Sequence, residues 1–192
     1  MYRSFCVKGG LSHLKNISYR VALGGIVSSF CLLAMFMTGV FPLLYLVLPM
    51  IAGILMLIVV TEVNTPWALL TYLAVGLLSL FVTYDKEAAL IFIMFFGHYP
   101  ILYKYLNKIP SKALRILIKL LVFNGCMVLY FYTNVYLFGL KDLLESMEEF
   151  GKYGSLILLV SVNPFFFMYD YSLDGLVEIY RRSLKPRILG KR

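Results

Sequence analysis

Six long apolar runs, separated by short polar connections, dominate the sequence. They cover residues of about 21–40, 43–61, 66–83, 88–102, 117–138 and 154–169. Each approaches the ~20 residues that a helix needs to cross a bilayer, with the third and fourth at the short end. The runs are continuous rather than alternating, which favours helices over barrel strands. We therefore predict an all-α integral membrane protein, a bundle of six transmembrane helices in one membrane domain, 1–192.

The composition supports a membrane location. Of 192 residues, 61% are apolar and 15% charged, and the mean hydropathy is +0.83. A soluble globule of this size has too little interior to bury so much apolar surface, and a disordered chain needs low hydrophobicity. Six spans also leave no room for a separate soluble domain.

The basic residues sort to one side of the predicted bundle. With the N-terminus inside, 15 of the 18 lysines and arginines fall in the leader, the fourth connection and the tail 171–192. Lysine and arginine accumulate in cytoplasmic loops, so we expect both termini in the cytoplasm. The net charge of +8 is then explained by topology and headgroup contact, and we expect no nucleic acid partner.

The connection after the fifth run predicts a short amphipathic helix over 140–150, outside the membrane on the outer side. Its apolar positions are spaced at i, i+3, i+4, i+7 and i+10, namely Leu140, Leu143, Leu144, Met147 and Phe150. This helix either covers the outer ends of the fifth and sixth spans or lies flat on the membrane surface.

Small residues line one face of the first span. Ala22, Gly25 and Ser29 share it by spacing, and Gly24 and Ser28 lie beside them. Small residues let membrane helices approach closely, so this face predicts a docking surface. Its partner is either another helix of this chain or a different protein.

Several polar residues fall near the outer ends of the spans and form our candidate ligand site. Uncharged amides inside hydrocarbon need partners, which either a ligand or a neighbouring helix supplies. The charged connection before the fourth span either binds a polar ligand group or caps the helix. The proline-broken start of the second span predicts an irregular entry into the membrane, or a kinked helix begun by proline. The candidate residues are Tyr45, Asp85, Lys86, Glu87, Tyr130, Asn134 and Asn163.

The sequence lacks three common motifs of nucleotide-binding proteins and hydrolytic enzymes. There is no GxxxxGK[ST] loop, no HExxH and no GxSxG, and no paired carboxylates lie inside the spans. We expect no enzymatic activity, no metal and no cofactor, and no self-sufficient ion-coupled transport. Asp170, at a membrane edge, is expected to pair with a basic residue.

Six spans, both termini inside, a first span that opens Arg20-Val-Ala-Leu-Gly-Gly and a proline-broken first outer loop together resemble the S components of energy-coupling factor (ECF) transporters. Gly25 and Ser29, or Gly24 and Ser28, stand where that family has alanine-x-x-x-alanine. The resemblance implies vitamin uptake across a bacterial cytoplasmic membrane. It also implies a small ligand captured on the outer side, and a coupling transmembrane subunit and ATPase subunits as partners.

Two other interpretations stay open. A non-catalytic membrane scaffold, similar to the rod-shape-determining membrane protein of the cell-elongation machinery, has a similar length and span count. A small intramembrane enzyme is the third. The first two differ in whether a polar cavity lies beneath the outer loops.

Overall fold

The computed structural model describes residues 3–137 and 154–179, with side chains for 17–41, 43–136, 157 and 159–179. Every long element in this part of the chain is a helix, one for each apolar run. The six are α1 (Arg3–Met37), α2 (Val47–Glu62), α3 (Thr65–Val82), α4 (Lys86–Leu106), α5 (Lys112–Leu137) and α6 (Gly154–Ile179). The predicted outer helix 140–150 and the tail beyond 179 lie outside the described residues.

Four helices are long and apolar enough to cross a membrane. These segments are Ile17–Met37, Thr65–Val82, Lys86–Leu106 and Lys112–Tyr136. Helix α2 is also apolar but has 16 residues, and α6 carries three carboxylates in its last ten residues. The prediction of an all-helical membrane protein is confirmed. Among the described residues, four of the six helices meet the length and hydropathy expected of a span.

Prolines explain why α2 is short. Pro42 begins a single 3-10 turn that ends at Leu44, and α2 starts only at Val47. Pro49 then occupies the first turn of α2, where a missing N–H costs no helical hydrogen bond. Both sequence interpretations of this stretch therefore hold in part, since an irregular turn precedes a helix with proline in its first turn.

The chain divides into two compact units, Met1–Lys104 and Tyr105–Arg192. In the first unit, α1 packs along α2 and α3, and α2 also contacts α4. The α1 side chains Val27, Cys31 and Met35, spaced four apart, are buried in this packing. The Cys31 thiol donates to the Ala52 carbonyl oxygen of α2 at 3.4 Å. Many large apolar side chains outside the core stay exposed, as expected of a lipid-facing surface.

Helix α4 contains a π-helical stretch, Phe92–Phe96, between two α-helical segments. The Gly97 amide donates to the Phe92 carbonyl, five residues back, at 2.7 Å. The Tyr72 hydroxyl of α3 donates to the Ile93 carbonyl at 2.8 Å. A Cβ on Gly97 would lie 2.6 Å from Cδ2 of Tyr72, so only glycine permits this close approach.

In the second unit, α5 and α6 pack as an antiparallel pair. Lys119 contacts Asp170, Phe123 contacts Phe166, and Asn124 contacts Asn163. Along these contacts the residue numbers of α5 rise while those of α6 fall, so the two helices run antiparallel. The Phe123 and Phe166 rings stack with centroids 4.7 Å apart and planes at 20°.

Candidate functional site

A buried ion pair joins α5 and α6. The Lys119 ammonium donates to both Asp170 carboxylate oxygens at 2.8 Å, and the two side chains are 5% and 17% exposed. Lys119 lies within a helix segment long and apolar enough to cross the membrane. The expectation that Asp170 pairs with a basic residue is confirmed. Ionisable residues in such helices are expensive to bury and mark functional sites.

A cleft of about 490 Å³ opens beside this pair, entirely within the second unit. Its walls combine two cations, two carboxylates, an amide and three aromatic rings. The lining residues are Asn107, Arg115, Ile116, Lys119, Phe166, Phe167, Asp170, Tyr171 and Asp174. Its size falls in the ~300–1,000 Å³ range of ligand pockets.

Helical spacing builds the charged wall of the cleft. Arg115 and Lys119 are four residues apart on α5, and Asp170 and Asp174 are four apart on α6. Residues at i and i+4 share a face, so each helix presents two charges to the same cleft. The stacked Phe123 and Phe166 rings lie one turn deeper along the seam and fix the spacing of the two helices.

The charged connection before α4 makes hydrogen bonds to backbone groups at the end of α3 and at the start of α4. Asp85 caps α4, since its Oδ1 accepts from the amides of Glu87 at 3.0 Å and Ala88 at 3.3 Å. The Lys86 ammonium donates to the carbonyl oxygens of Leu80 and Thr83 at the end of α3. The capping interpretation thus accounts for these contacts, while Glu87 lies half-buried beside them. A ligand role for these residues stays a prediction, as it does for Tyr45, which is exposed in the turn before α2.

The predicted polar residues of α5 and α6 fall into two separate places. Asn163 and Asn124 exchange hydrogen bonds at 3.3 Å, and each amide also donates to a carbonyl of its own helix. Asn163 thus serves helix-to-helix contact. Asn134 is fully buried and donates to the Tyr130 carbonyl at 3.0 Å, while its Oδ1 accepts no hydrogen bond from the described residues.

The two small-residue sets of α1 face different surroundings. A Cβ on Gly24 would lie 3.3 Å from the Thr71 hydroxyl oxygen, so this glycine packs against α3. A Cβ on Gly25 would meet nothing within 4 Å. Ala22 and Ser29 are exposed with Gly25, and the Ser29 hydroxyl is satisfied by the Gly25 carbonyl at 2.9 Å. The predicted docking face therefore lies on the surface of the first unit.

The sequence did not predict the cleft, although it placed Asp170 at a membrane edge and predicted a basic partner for it. Nothing in the sequence identified Lys119 as that partner. The paired i, i+4 charges on α5 and α6 were the available signal. Within the described residues, no three His, Cys, Asp or Glu side chains are grouped so as to hold a metal ion.

The four long apolar helices and the buried seam of α5 and α6 indicate a multi-pass, all-helical membrane protein. No protein-family model, no curated protein and no solved structure matches this chain.

Proposed function

We propose that this chain is the substrate-binding S component of an ECF-type vitamin transporter in a bacterial cytoplasmic membrane. It captures a small ligand on the outer side of the membrane. Transport then depends on a coupling transmembrane subunit and ATPase subunits. The observation that carries this proposal is the exposed small-residue face of α1.

That face suits close approach by another membrane helix. Ala22, Gly25 and Ser29 are exposed, while the buried positions of α1 pack against α2 and α3. The Ser29 hydroxyl is already bonded within α1, so the surface requires no polar partner. Lipid tails are as apolar as the helix surface, so no hydrophobic effect brings helices together inside a bilayer. Helices associate there through close packing instead.

In this proposal both termini lie in the cytoplasm, and the second unit supports that side for the C-terminus. Since α5 and α6 are antiparallel, the start of α5 and the end of α6 lie on the same side. Lys112 and Arg115 mark the start of α5, and the basic tail follows α6. A single basic side agrees with the positive-inside rule. Helices α2 and α6 then supply the remaining two of six crossings, with α2 about 24 Å long against a hydrocarbon core of ~30 Å.

The buried amide of Asn134 supports a ligand pocket on the outer side. Asn134 lies 15 residues beyond Lys119 on α5, about 22 Å along the helix axis and towards the opposite membrane surface. A buried carbonyl oxygen is costly unless a donor reaches it. In this proposal an N–H or O–H of the ligand donates to Asn134 Oδ1, and Tyr130, one turn earlier, lines the pocket.

A matched pair of glycine variants tests the docking face. A Cβ on either Gly25 or Gly125 meets open space, so Gly25→Leu and Gly125→Leu should both fold. We expect the wild-type chain and Gly125→Leu to co-purify with a coupling subunit and two ATPases from the native membrane. Gly25→Leu should lose these partners at an unchanged melting temperature.

Mass spectrometry of small molecules released from the gently purified chain tests ligand capture. A bound vitamin-like compound is expected in all three preparations, because the docking face is not the ligand site. The proposal fails if Gly25→Leu retains the ATPases, or if the wild type brings down neither ATPases nor a small molecule. Recovery of cell-elongation proteins in their place would support the scaffold.

A further inference from the structure

The cleft between α5 and α6 contains two cations, of which only Lys119 forms an ion pair within the described residues. Lys119 is neutralised by Asp170. Arg115, one turn earlier and half-buried, makes no hydrogen bond or ion pair with its guanidinium anywhere in the described part of the chain. The Asn107 amide, in the turn before α5, lines the same cleft and likewise has no partner there. Two adjacent donor groups therefore face a cavity.

The start of α5 adds a positive potential to the same place. Helix N-termini carry a partial positive charge, which acidic residues usually balance. Helix α5 has no acidic residue in its first turn and instead begins with Lys112, with Arg115 three residues on. Both cations oppose the helix dipole, and an anion bound in the cleft beside Arg115 would offset that dipole.

The rim of the cleft is apolar and exposed. Ile116 and Phe167 are 46% exposed, and Tyr171 is 80% exposed. Such side chains suit acyl chains and the glycerol region of a lipid, with aromatic rings at headgroup depth. The Asp174 carboxylate in the wall disfavours a doubly charged anion. A phosphodiester carries a single negative charge, and it therefore fits this wall better than free phosphate does.

From these contacts we infer that the cleft binds the phosphodiester of a membrane phospholipid. Arg115 and Asn107 donate hydrogen bonds to the phosphate oxygens, and the acyl chains leave along Ile116 and Phe167. The Lys119–Asp170 pair joins the two helices at the base of the cleft. This site is independent of the proposed transport function and lies at the opposite end of α5 from Asn134.

Titration of the purified full chain in dodecylmaltoside micelles tests the inference. Three probes separate the parts of the ligand: dioleoylphosphatidylglycerol, dioleoylglycerol without the phosphate, and glycerophosphoglycerol, which keeps the phosphodiester and lacks the acyl chains. Melting temperature against probe concentration gives an apparent Kd, since a ligand of the folded state stabilises by mass action. We expect saturable stabilisation by the phospholipid alone.

Arg115→Gln and Lys112→Gln form the matched variants. Each removes one positive charge near the start of α5, but only Arg115 lines the cleft. Loss of a charge-assisted hydrogen bond predicts about tenfold weaker phospholipid binding by Arg115→Gln, whereas Lys112→Gln should bind like the wild type. Because Arg115 has no protein partner in the described residues, its variant should keep the wild-type melting temperature without lipid.

Three results would overturn the inference. Unchanged phospholipid binding by Arg115→Gln would show that the guanidinium does not contact the phosphate. Equal weakening by both variants would indicate diffuse attraction to surface charge rather than a cleft. Stabilisation by glycerophosphoglycerol equal to that by the phospholipid would overturn the assignment to a lipid.

Discussion

The Lys119–Asp170 pair gives the sharpest test of how the second unit is held together. Replacing Lys119 by Met removes the ammonium and leaves the Asp170 carboxylate, 17% exposed, without its bidentate partner. Breaking a buried ion pair on one side costs about 3–5 kcal/mol, because the remaining charge stays desolvated. Asp170 borders an open cleft, which places the expected loss near the lower end, at about 3 kcal/mol.

Unfolding by sodium dodecyl sulfate in mixed micelles measures this loss as a free energy. Asp170→Leu alone should cost a similar amount, since it removes the carboxylate to which the Lys119 ammonium donates. The double variant Lys119→Met/Asp170→Leu should recover most of the stability, because two apolar side chains replace two desolvated charges. A double-mutant cycle then gives a coupling energy of about 2 kcal/mol or more.

A loss of less than about 1 kcal/mol in Lys119→Met, the level of an exposed surface ion pair, would contradict a buried pair. A double variant that loses the sum of the two single losses would show that the two charges act independently. Added salt should leave the coupling energy nearly unchanged, since buried pairs are weakly screened.

Two further predictions concern the first unit, with the same unfolding assay as the readout. Gly97→Ala should cost about 1–3 kcal/mol, because its Cβ would lie 2.6 Å from the Tyr72 ring, and equal stability of variant and wild type would contradict that contact. Its control, Gly125→Ala, enters open space in a helix and should gain up to about 1 kcal/mol. Asp85→Ala removes the cap of α4 and should cost about 1 kcal/mol of stability. Asp85→Asn, which can still cap the helix, should keep most of that stability. Full stability in the alanine variant would show the cap to be unimportant.

Long apolar runs made the helices predictable. A continuous run of this length must satisfy its backbone internally in lipid, and a helix does so without reference to other segments. The runs therefore identified six helices from local information alone. Details that depend on a neighbour were not predictable in this way. The π-helical stretch of α4 is one, since its Ile93 carbonyl is bonded by Tyr72 from another helix.

The small residues of α1 also show what local sequence predicts and what depends on a neighbouring helix. Gly24 and Gly25 are adjacent in sequence, and spacing alone gave two overlapping faces. Packing of α1 on α3 placed Gly24 against Thr71 and left Gly25 on the surface. A residue step turns a helix by about 100°, so neighbouring glycines point to different surroundings, but only the position of α3 decides which one is covered.

The sequence was enough to predict a helical membrane protein, because hydropathy acts locally along the chain. The tertiary structure alone decided where its few polar groups meet. Lys119 and Asp170 are 51 positions apart, and the antiparallel packing of α5 on α6 brings their charges within 2.8 Å. Helical periodicity gives the face on which a charge lies, whereas its counter-charge and the cleft beside it depend on which helices pack together.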